Sequence, residues 1–385
     1  MKKFLALILA LVMSLSLVAC GGSKTEEKPA EEKPAETEQP AEATPDYAVA
    51  MITDYGDITD QSFNQTTYEA CKAYCDTNGI QFNYYKPAGD STAERVAMVE
   101  KAVDEGYTVI VMPGYAFGET ITQVADEYSD ITFIALDVGE GDLGGYTLPG
   151  NVYCAVYQEE LCGYMAGYAA VKLGYTHLGF LGGMAVPAVV RYGYGFVQGA
   201  DAAAAETGAS VTLEYVYGNQ FWGDADITAY MDNWYQTLGV EVVFACGGGI
   251  YASAAEAAAK VDGKVIGVDV DQAGIIDGGY GEGMTVTSAM KGLAPTVEHM
   301  LTEVAAGNFS NYGGKIETLG LVSGDDPEAN YVQIPMESTQ WSDSFTQDDY
   351  KALVKDMFDG KITVSNDISA MPSTSITVNE YGNIK

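Results

Sequence analysis

A chain of 385 residues, 47% of them hydrophobic, is long enough for two domains of ordinary size. Its formal charge of −35 at pH 7 argues against polymeric nucleic acid and anionic lipid surfaces as partners, and leaves a neutral or cationic small molecule as the compatible ligand class. The six cysteines and two histidines have no zinc-site spacing, and no metal or cofactor is expected.

At the amino end, Lys2 and Lys3 precede an apolar run from Phe4 to Ala19, and Leu17-Val18-Ala19-Cys20 is followed by two glycines. This is similar to a bacterial lipoprotein signal over residues 1–19, with Cys20 as the lipidated residue. Residues 20–46 are rich in Glu, Pro, Ala and Lys. Such a composition cannot offset the entropy of ordering and predicts a disordered tether.

From Tyr47 the pattern alternates: a strand over 47–53, a helix over 61–77, a strand over 81–85 and a helix over 93–105. A unit then appears that recurs later in the chain. Gly106 to Asp137 and Gly239 to Asp269 each carry an apolar run, a glycine-bearing turn, a helical stretch and a second apolar run ending on aspartate. The runs VIVM, FIAL, VVFA and VIGV lack polar alternation, which predicts parallel strands buried on both faces. Asp137 and Asp269 are therefore expected at the carboxyl ends of such strands, where open α/β sheets bind ligands, one from each of two similar lobes. Between the units lie predicted strands at 152–157, 177–182 and 211–217 and a helix over 158–173. After them come a strand at 284–289, a helix over 293–306, and a tail from Tyr331 with short strands and an amphipathic helix at 347–358.

The first strand opens into Thr53-Asp54-Tyr55-Gly56-Asp57-Ile58-Thr59-Asp60-Gln61-Ser62-Phe63-Asn64, at the mouth of the expected cleft. Asp60 suits an N-cap, and Phe63 could face either core or ligand. Of the five cysteines beyond Cys20, Cys71 and Cys75 lie at i and i+4 of a helix-like stretch, not well posed for a bridge, and Cys154, Cys162 and Cys246 lie in apolar company; small buried hydrophobes are expected rather than a disulfide framework. His177 and His299 read as surface or packing residues.

The motif at 54–64, the FIALD ending at 137, Gly179-Phe180-Leu181-Gly182-Gly183, Gly195-Phe196-x-x-Gly199-Ala200, Gly267-Val268-Asp269-x-Asp271-Gln272 and Thr287-Ser288-x-x-Lys291 occur in this order. Together they resemble the basic membrane protein family, the nucleoside-binding lipoproteins of ABC importers. The resemblance implies an α/β, type 1 periplasmic-binding fold of two Rossmann-like lobes with parallel sheets and a ligand cleft between them. By analogy with such proteins, residues 47–174 with 271–309 form the first lobe, and 175–270 with 310–385 the second. It also implies capture of a purine nucleoside (adenosine, guanosine or inosine), an ABC permease and its ATPase as partners, and a lipid on Cys20 as the membrane anchor.

Residue by residue, the resemblance puts Asp54 on the base edge, Phe63 on the base face with Asn64 nearby, and Asp137, Asp269 and Lys291 on the ribose hydroxyls. Either Phe221 or Trp222 supplies a second aromatic face, and spacing to Asp224 favours Trp222. The glycines around Gly248 let backbone approach the sugar. The alternatives are a sugar receptor of the same fold, an extracellular hydrolase using Asp137 and Asp269 as acid and base, and a surface adhesin or sensor. No nucleophile motif supports an enzyme.

Overall fold

Two sheets, parallel but for one antiparallel edge strand in the second, are wrapped by helices and organise residues 47–385, the part of the chain that the computed structural model describes. The signal, Cys20 and the tether expected over 1–46 lie outside the described residues. In chain order, β1 (Val49–Ile52), α1 (Phe63–Asn78), β2 (Phe82–Tyr85), α2 (Thr92–Asp104), β3 (Val109–Pro113), α3 (Phe117–Val124), β4 (Thr132–Leu136) and β5 (Val152–Tyr157) alternate as expected. Next come α4 (Glu159–Lys172), β6 (His177–Gly182), α5 (Pro187–Thr207), β7 (Thr212–Tyr217), α6 (Ala225–Asn233), β8 (Val242–Cys246), α7 (Tyr251–Ala258), β9 (Lys264–Asp269), α8 (Ala273–Tyr280) and β10 (Thr285–Lys291). The chain ends with α9 (Leu293–Ala305), β11 (Lys315–Leu319), β12 (Val332–Gln333), α10 (Gln347–Phe358) and β13 (Thr377–Asn383). No helix among the described residues is long and apolar enough to cross a membrane.

The first sheet has the order β11-β5-β4-β3-β1-β2 and the second β12-β10-β9-β8-β6-β7-β13. Residues of β3 and β8 are buried throughout, as their unbroken apolar runs require of strands covered on both faces. Both repeated units fold as βαβ: β3 pairs parallel with β4, and β8 with β9. The likeness extends to backbone. Asp137 and Asp269 both adopt left-handed conformations, φ 60° and 66°, which a short aspartate tolerates and which turn the chain sharply off its strand.

The expected lobe boundaries need correction. Helix α4 packs against α5, β10 and β12, so it belongs to the second lobe. Strand β10 pairs with β9 in the second sheet, whereas α9 packs on α1, and β11 pairs with β5 in the first sheet. The chain therefore crosses before α4, before α9 and between β11 and β12. A strand and the helix that follows it were expected to share a lobe; here the chain leaves one sheet at the strand end and delivers the next helix to the other lobe. The crossings bond to one another: Gln158 N–H donates to the Leu319 carbonyl, Gly292 N–H to that of Tyr331, and Tyr331 N–H to that of Gly320. Lys291 and Glu159 each adjoin one of these crossings.

Helices α4 and α5 meet backbone to backbone. A Cβ on Gly195 or Gly199 would lie 2.1 or 2.0 Å from the carbonyl oxygen of Glu160 or Tyr164, so these two glycines are packing positions. All five described cysteines are free and buried, as expected of small buried hydrophobes.

Candidate functional site

A cleft of about 890 Å³ lies between the lobes, within the range of small-molecule sites. Asp54, Phe63, Asn64, Asp137, Phe221, Trp222, Gly248, Asp269 and Lys291 all line it, so the structure brings together every cleft residue singled out from the sequence. The two histidines lie elsewhere: His177 meets Glu214, and His299 meets Tyr312.

The first wall is the turn after β1. Asp54 is buried, and its Oδ1 accepts hydrogen bonds from the Tyr55 and Gly56 amides, each at 2.7 Å. Burial pushes its carboxyl above the usual range despite those donors. The N-cap position of α1 is Ser62 rather than Asp60, but Asp60, two residues earlier, supplies the capping acceptor, taking bonds from the amides of Ser62 (2.9 Å), Asn64 (2.9 Å) and Gln65 (3.1 Å). The capped helix begins with Phe63, half-buried on the cleft side. Asn64 donates to Asp60 through Nδ2, while its buried Oδ1 has no partner among the described residues.

Lys291 forms the floor. Its side chain is only 3% exposed, with Nζ 2.5 Å from Asp137, 3.4 Å from Glu159 and 3.8 Å from Asp269. The same ammonium lies 4.9 Å from the Phe63 ring centroid, and the rings of Tyr157 and Tyr192 stand at 5.5 and 5.6 Å. Asp269 also accepts from Ser62 Oγ (2.8 Å) and the Tyr192 hydroxyl (3.2 Å), and Glu159 from Arg191 Nε (2.6 Å). Burial works against the ammonium, yet Asp137, Asp269 and Glu159 outweigh it and hold Lys291 well above its ordinary value. Burial also pushes Asp137 up to about 6, although the lysine opposes the shift. Asp137 keeps one buried oxygen without a partner among the described residues. Carboxylate acceptors with an ammonium donor between them can serve both hydroxyls of a vicinal diol.

The opposite wall carries Phe221 and Trp222. The Phe221 ring is 6.5 Å from that of Tyr55 and presses on Gly183, where a Cβ would meet it at 2.4 Å. Trp222 is 54% exposed. Asp224, whose spacing favoured Trp222, caps α6 through bonds from the Asp226 and Ile227 amides, so that spacing reflects a helix start. Gly248 holds φ 52° under the Phe221 carbonyl, where a Cβ would lie 3.0 Å from that oxygen.

Sequence patterning gave no role to Glu159, Arg191 or Tyr192. They reach the floor from the first turn of α4 and the second turn of α5, and no local motif marks them. Among the residues lining the cleft, seven carboxylates face three cations, a balance that disfavours anionic ligands.

A family model described as ABC transporter substrate-binding protein, PnrA-like, matches residues 47–355. The chain belongs to this Bmp family. It is thus an ABC transporter substrate-binding protein with the type 1 periplasmic-binding fold, and its family is one of binding proteins. A relative from Listeria innocua named CD4+ T-cell-stimulating antigen is 28% identical, covering 82% of this chain and 87% of that protein. The ABC transporter nucleoside-binding protein BmpA of Lactococcus lactis is 25% identical, covering 83% and 89%. Among solved structures, an ABC transporter solute-binding protein from Conexibacter woesei matches with TM-score 0.64 at 22% identity, covering 83% and 99%.

One consequence of the buried acids is testable. Glu160 is 2% exposed, one of its oxygens is unpartnered among the described residues, and burial pushes it up to about 7 from 4.5. A carboxyl whose value is raised on folding contributes stability that is complete below its unfolded value and lost as pH rises through its folded one. The windows are therefore about 3.8 to 6 for Asp137 and 4.5 to 7 for Glu160. The ligand-free protein should melt at a higher temperature at pH 5.5 than at pH 7.5, and Glu160→Gln should narrow that gap. Equal gaps in the two proteins would assign the pH dependence to other groups.

Proposed function

We propose that this chain is the lipid-anchored, extracytoplasmic receptor of an ABC importer, and that it captures a purine nucleoside between its closing lobes. The observation that carries this reading is the convergence of Asp137 and Asp269, from opposite lobes, on one buried lysine at the floor of a cleft with aromatic walls. In the proposed complex the two carboxylates and Lys291 hold the 2′,3′-diol. The base lies against Phe63 on one side and Phe221 or Trp222 on the other, with Asp54 and Asn64 at its edge. Gly248 lets the backbone come close to the sugar. The relative named nucleoside-binding supports the ligand class. Cys20 carries the lipid, residues 21–46 space the receptor from the membrane, and a permease with its ATPase accepts the ligand.

Each base–aromatic stack is worth roughly 1–3 kcal/mol, so two stacks supply a large share of a micromolar affinity of about −8 kcal/mol. A free sugar would use the floor and leave the aromatic walls without a partner. Adenosine, guanosine or inosine should therefore raise the melting temperature of residues 47–385, and ribose or free base alone should not. Stabilisation by ribose or glucose with none by nucleosides would favour a sugar receptor of the same fold. Recovery of the bound nucleoside unchanged after long incubation checks that the cleft retains its ligand without turnover.

A further inference from the structure

The family match ends at residue 355, yet the chain returns to the cleft after it. Beyond α10 a segment leaves and rejoins α5 at neighbouring positions. Gln198 donates through Nε2 to the Ser365 carbonyl (3.0 Å) and accepts from the Ser365 amide (2.9 Å). Asp201 accepts from the Ser375 amide (2.8 Å), the Ser375 hydroxyl (2.6 Å) and the Ile376 amide (3.1 Å). Gln198 and Asp201 are neighbours on one helix face, with Cβ atoms roughly 5–6 Å apart. The chain between Ser365 and Ser375 must therefore run out and back as a closed loop.

Two further bonds tighten its outer part: the Asp367 amide donates to Ser365 Oγ (3.3 Å) and the Ser369 amide to Asp367 Oδ1 (2.9 Å). Met371 packs inward against the core. Ile368 does not. It is 37% exposed, stands between polar neighbours, and lines the ligand cleft together with Pro187 and Ala188 from the start of α5. The part of this side chain left exposed at the cleft is apolar surface that a bound ligand can cover.

We propose that the loop Ser365–Ser375 is an added wall of the ligand site, and that Ile368 is a specificity-determining residue that covers the bound nucleoside and rejects its 5′-phosphate. This inference rests on the nucleoside reading above. With the 2′,3′-diol on the floor, the 5′-hydroxymethyl group is the part of the sugar left for the mouth of the cleft. An apolar side chain there covers a hydroxymethyl group but cannot replace the water around a phosphate. Asp367 beside it, and Glu140 and Asp142 among the cleft-lining residues, add repulsion toward an anion.

The test compares adenosine, guanosine and inosine with their 5′-monophosphates by calorimetry, using residues 47–385 with Ile368 intact, Ile368→Ala, Ile368→Lys and Ile368→Leu. The unaltered protein should bind at least one nucleoside and discriminate against its monophosphate. Ile368→Ala should weaken nucleoside binding by roughly tenfold, through faster dissociation. Ile368→Lys should narrow the nucleoside-to-monophosphate ratio by at least roughly tenfold, since a cation now faces the phosphate. Ile368→Leu, which keeps the apolar bulk, should lose less affinity than Ile368→Ala and keep the discrimination against the monophosphate, and all variants should unfold cooperatively. Nucleoside binding with an unchanged ratio in every variant would overturn this inference and leave the nucleoside reading standing. Binding of ribose and of no nucleoside by the unaltered protein would overturn both.

Discussion

Lys291→Met should lower the stability of the ligand-free protein by about 3–5 kcal/mol at pH 7.5 and abolish nucleoside binding. The ammonium is the cation shared by Asp137, Glu159 and Asp269, and it is nearly sealed from solvent. Methionine keeps the length and apolar volume of the side chain, so the loss isolates the charge. Of the three carboxylates left behind, Glu159 retains Arg191, and Asp269 retains the hydroxyls of Ser62 and Tyr192. Asp137 loses the only cation within ion-pair distance of it among the described residues.

Its carboxyl, already pushed up by burial, should then take up a proton at still higher pH. The stability deficit of Lys291→Met should accordingly shrink between pH 7.5 and pH 5.5. Lys291→Met with Asp137→Asn should recover part of the stability and none of the binding, because the repulsion is relieved while the diol still lacks its donor and one acceptor. Asparagine is the appropriate replacement, since it tolerates the left-handed backbone at 137 better than alanine. Denaturant titration and calorimetry measure both arms. A single variant as stable as the unaltered protein, with no pH dependence of its deficit, would show that the ammonium does not hold these acids together. The contrast also bears on why the cluster exists: buried ion clusters are often no more stabilising than well-packed apolar groups, so a cluster facing a cleft is better explained by what it binds.

Much of this arrangement was legible in the sequence, for physical reasons that differ by element. Unbroken apolar runs can be solvated on neither face, so β3, β4, β8 and β9 announced themselves as parallel strands. The repeat then placed Asp137 and Asp269 in equivalent turns. Helix α10 matches its predicted span of 347–358 because its N-cap signal and apolar face are both local. Lobe membership was not local. Whether β10 joins β9 or the first sheet depends on long-range pairing, and the residues of β10 read the same in either place. Strand β13 is one of the short strands expected in the tail, but its bounds and its partner were not legible because its residues are mostly exposed; it is held by pairing with β7 and by bonds from Asn379 and Tyr381 to the buried Glu214. Glu159, Arg191 and Tyr192 escaped for a related reason: helix packing carries them to the floor, and their sequence neighbours are ordinary core residues.

Phe63→Ala should cost the ligand-free protein about 1 kcal/mol and remove roughly 1–3 kcal/mol of nucleoside binding, a five- to 150-fold loss of affinity. A phenylalanine wholly inside a core would instead cost about 3–5 kcal/mol of stability on the same substitution. Phe63 is half-buried, packs only partly against the core, and presents its ring to the cleft below the ammonium of Lys291. The modest apo cost is the lost contact between that ammonium and the ring, and the larger cost falls on the base that the ring would stack against. Phe63→Trp and Phe63→Tyr should keep most of the affinity because each offers a π-face, whereas Phe63→Leu keeps bulk without one and should bind about as weakly as the alanine variant. Lys291 adds a second discriminator: in Phe63→Leu its ammonium loses the aromatic face but keeps Asp137, so the diol end of the ligand is still held and the loss reports on the base alone. If Phe63→Ala unfolds the ligand-free protein while Phe63→Leu binds nucleoside normally, Phe63 is a core residue and the base lies elsewhere in the cleft.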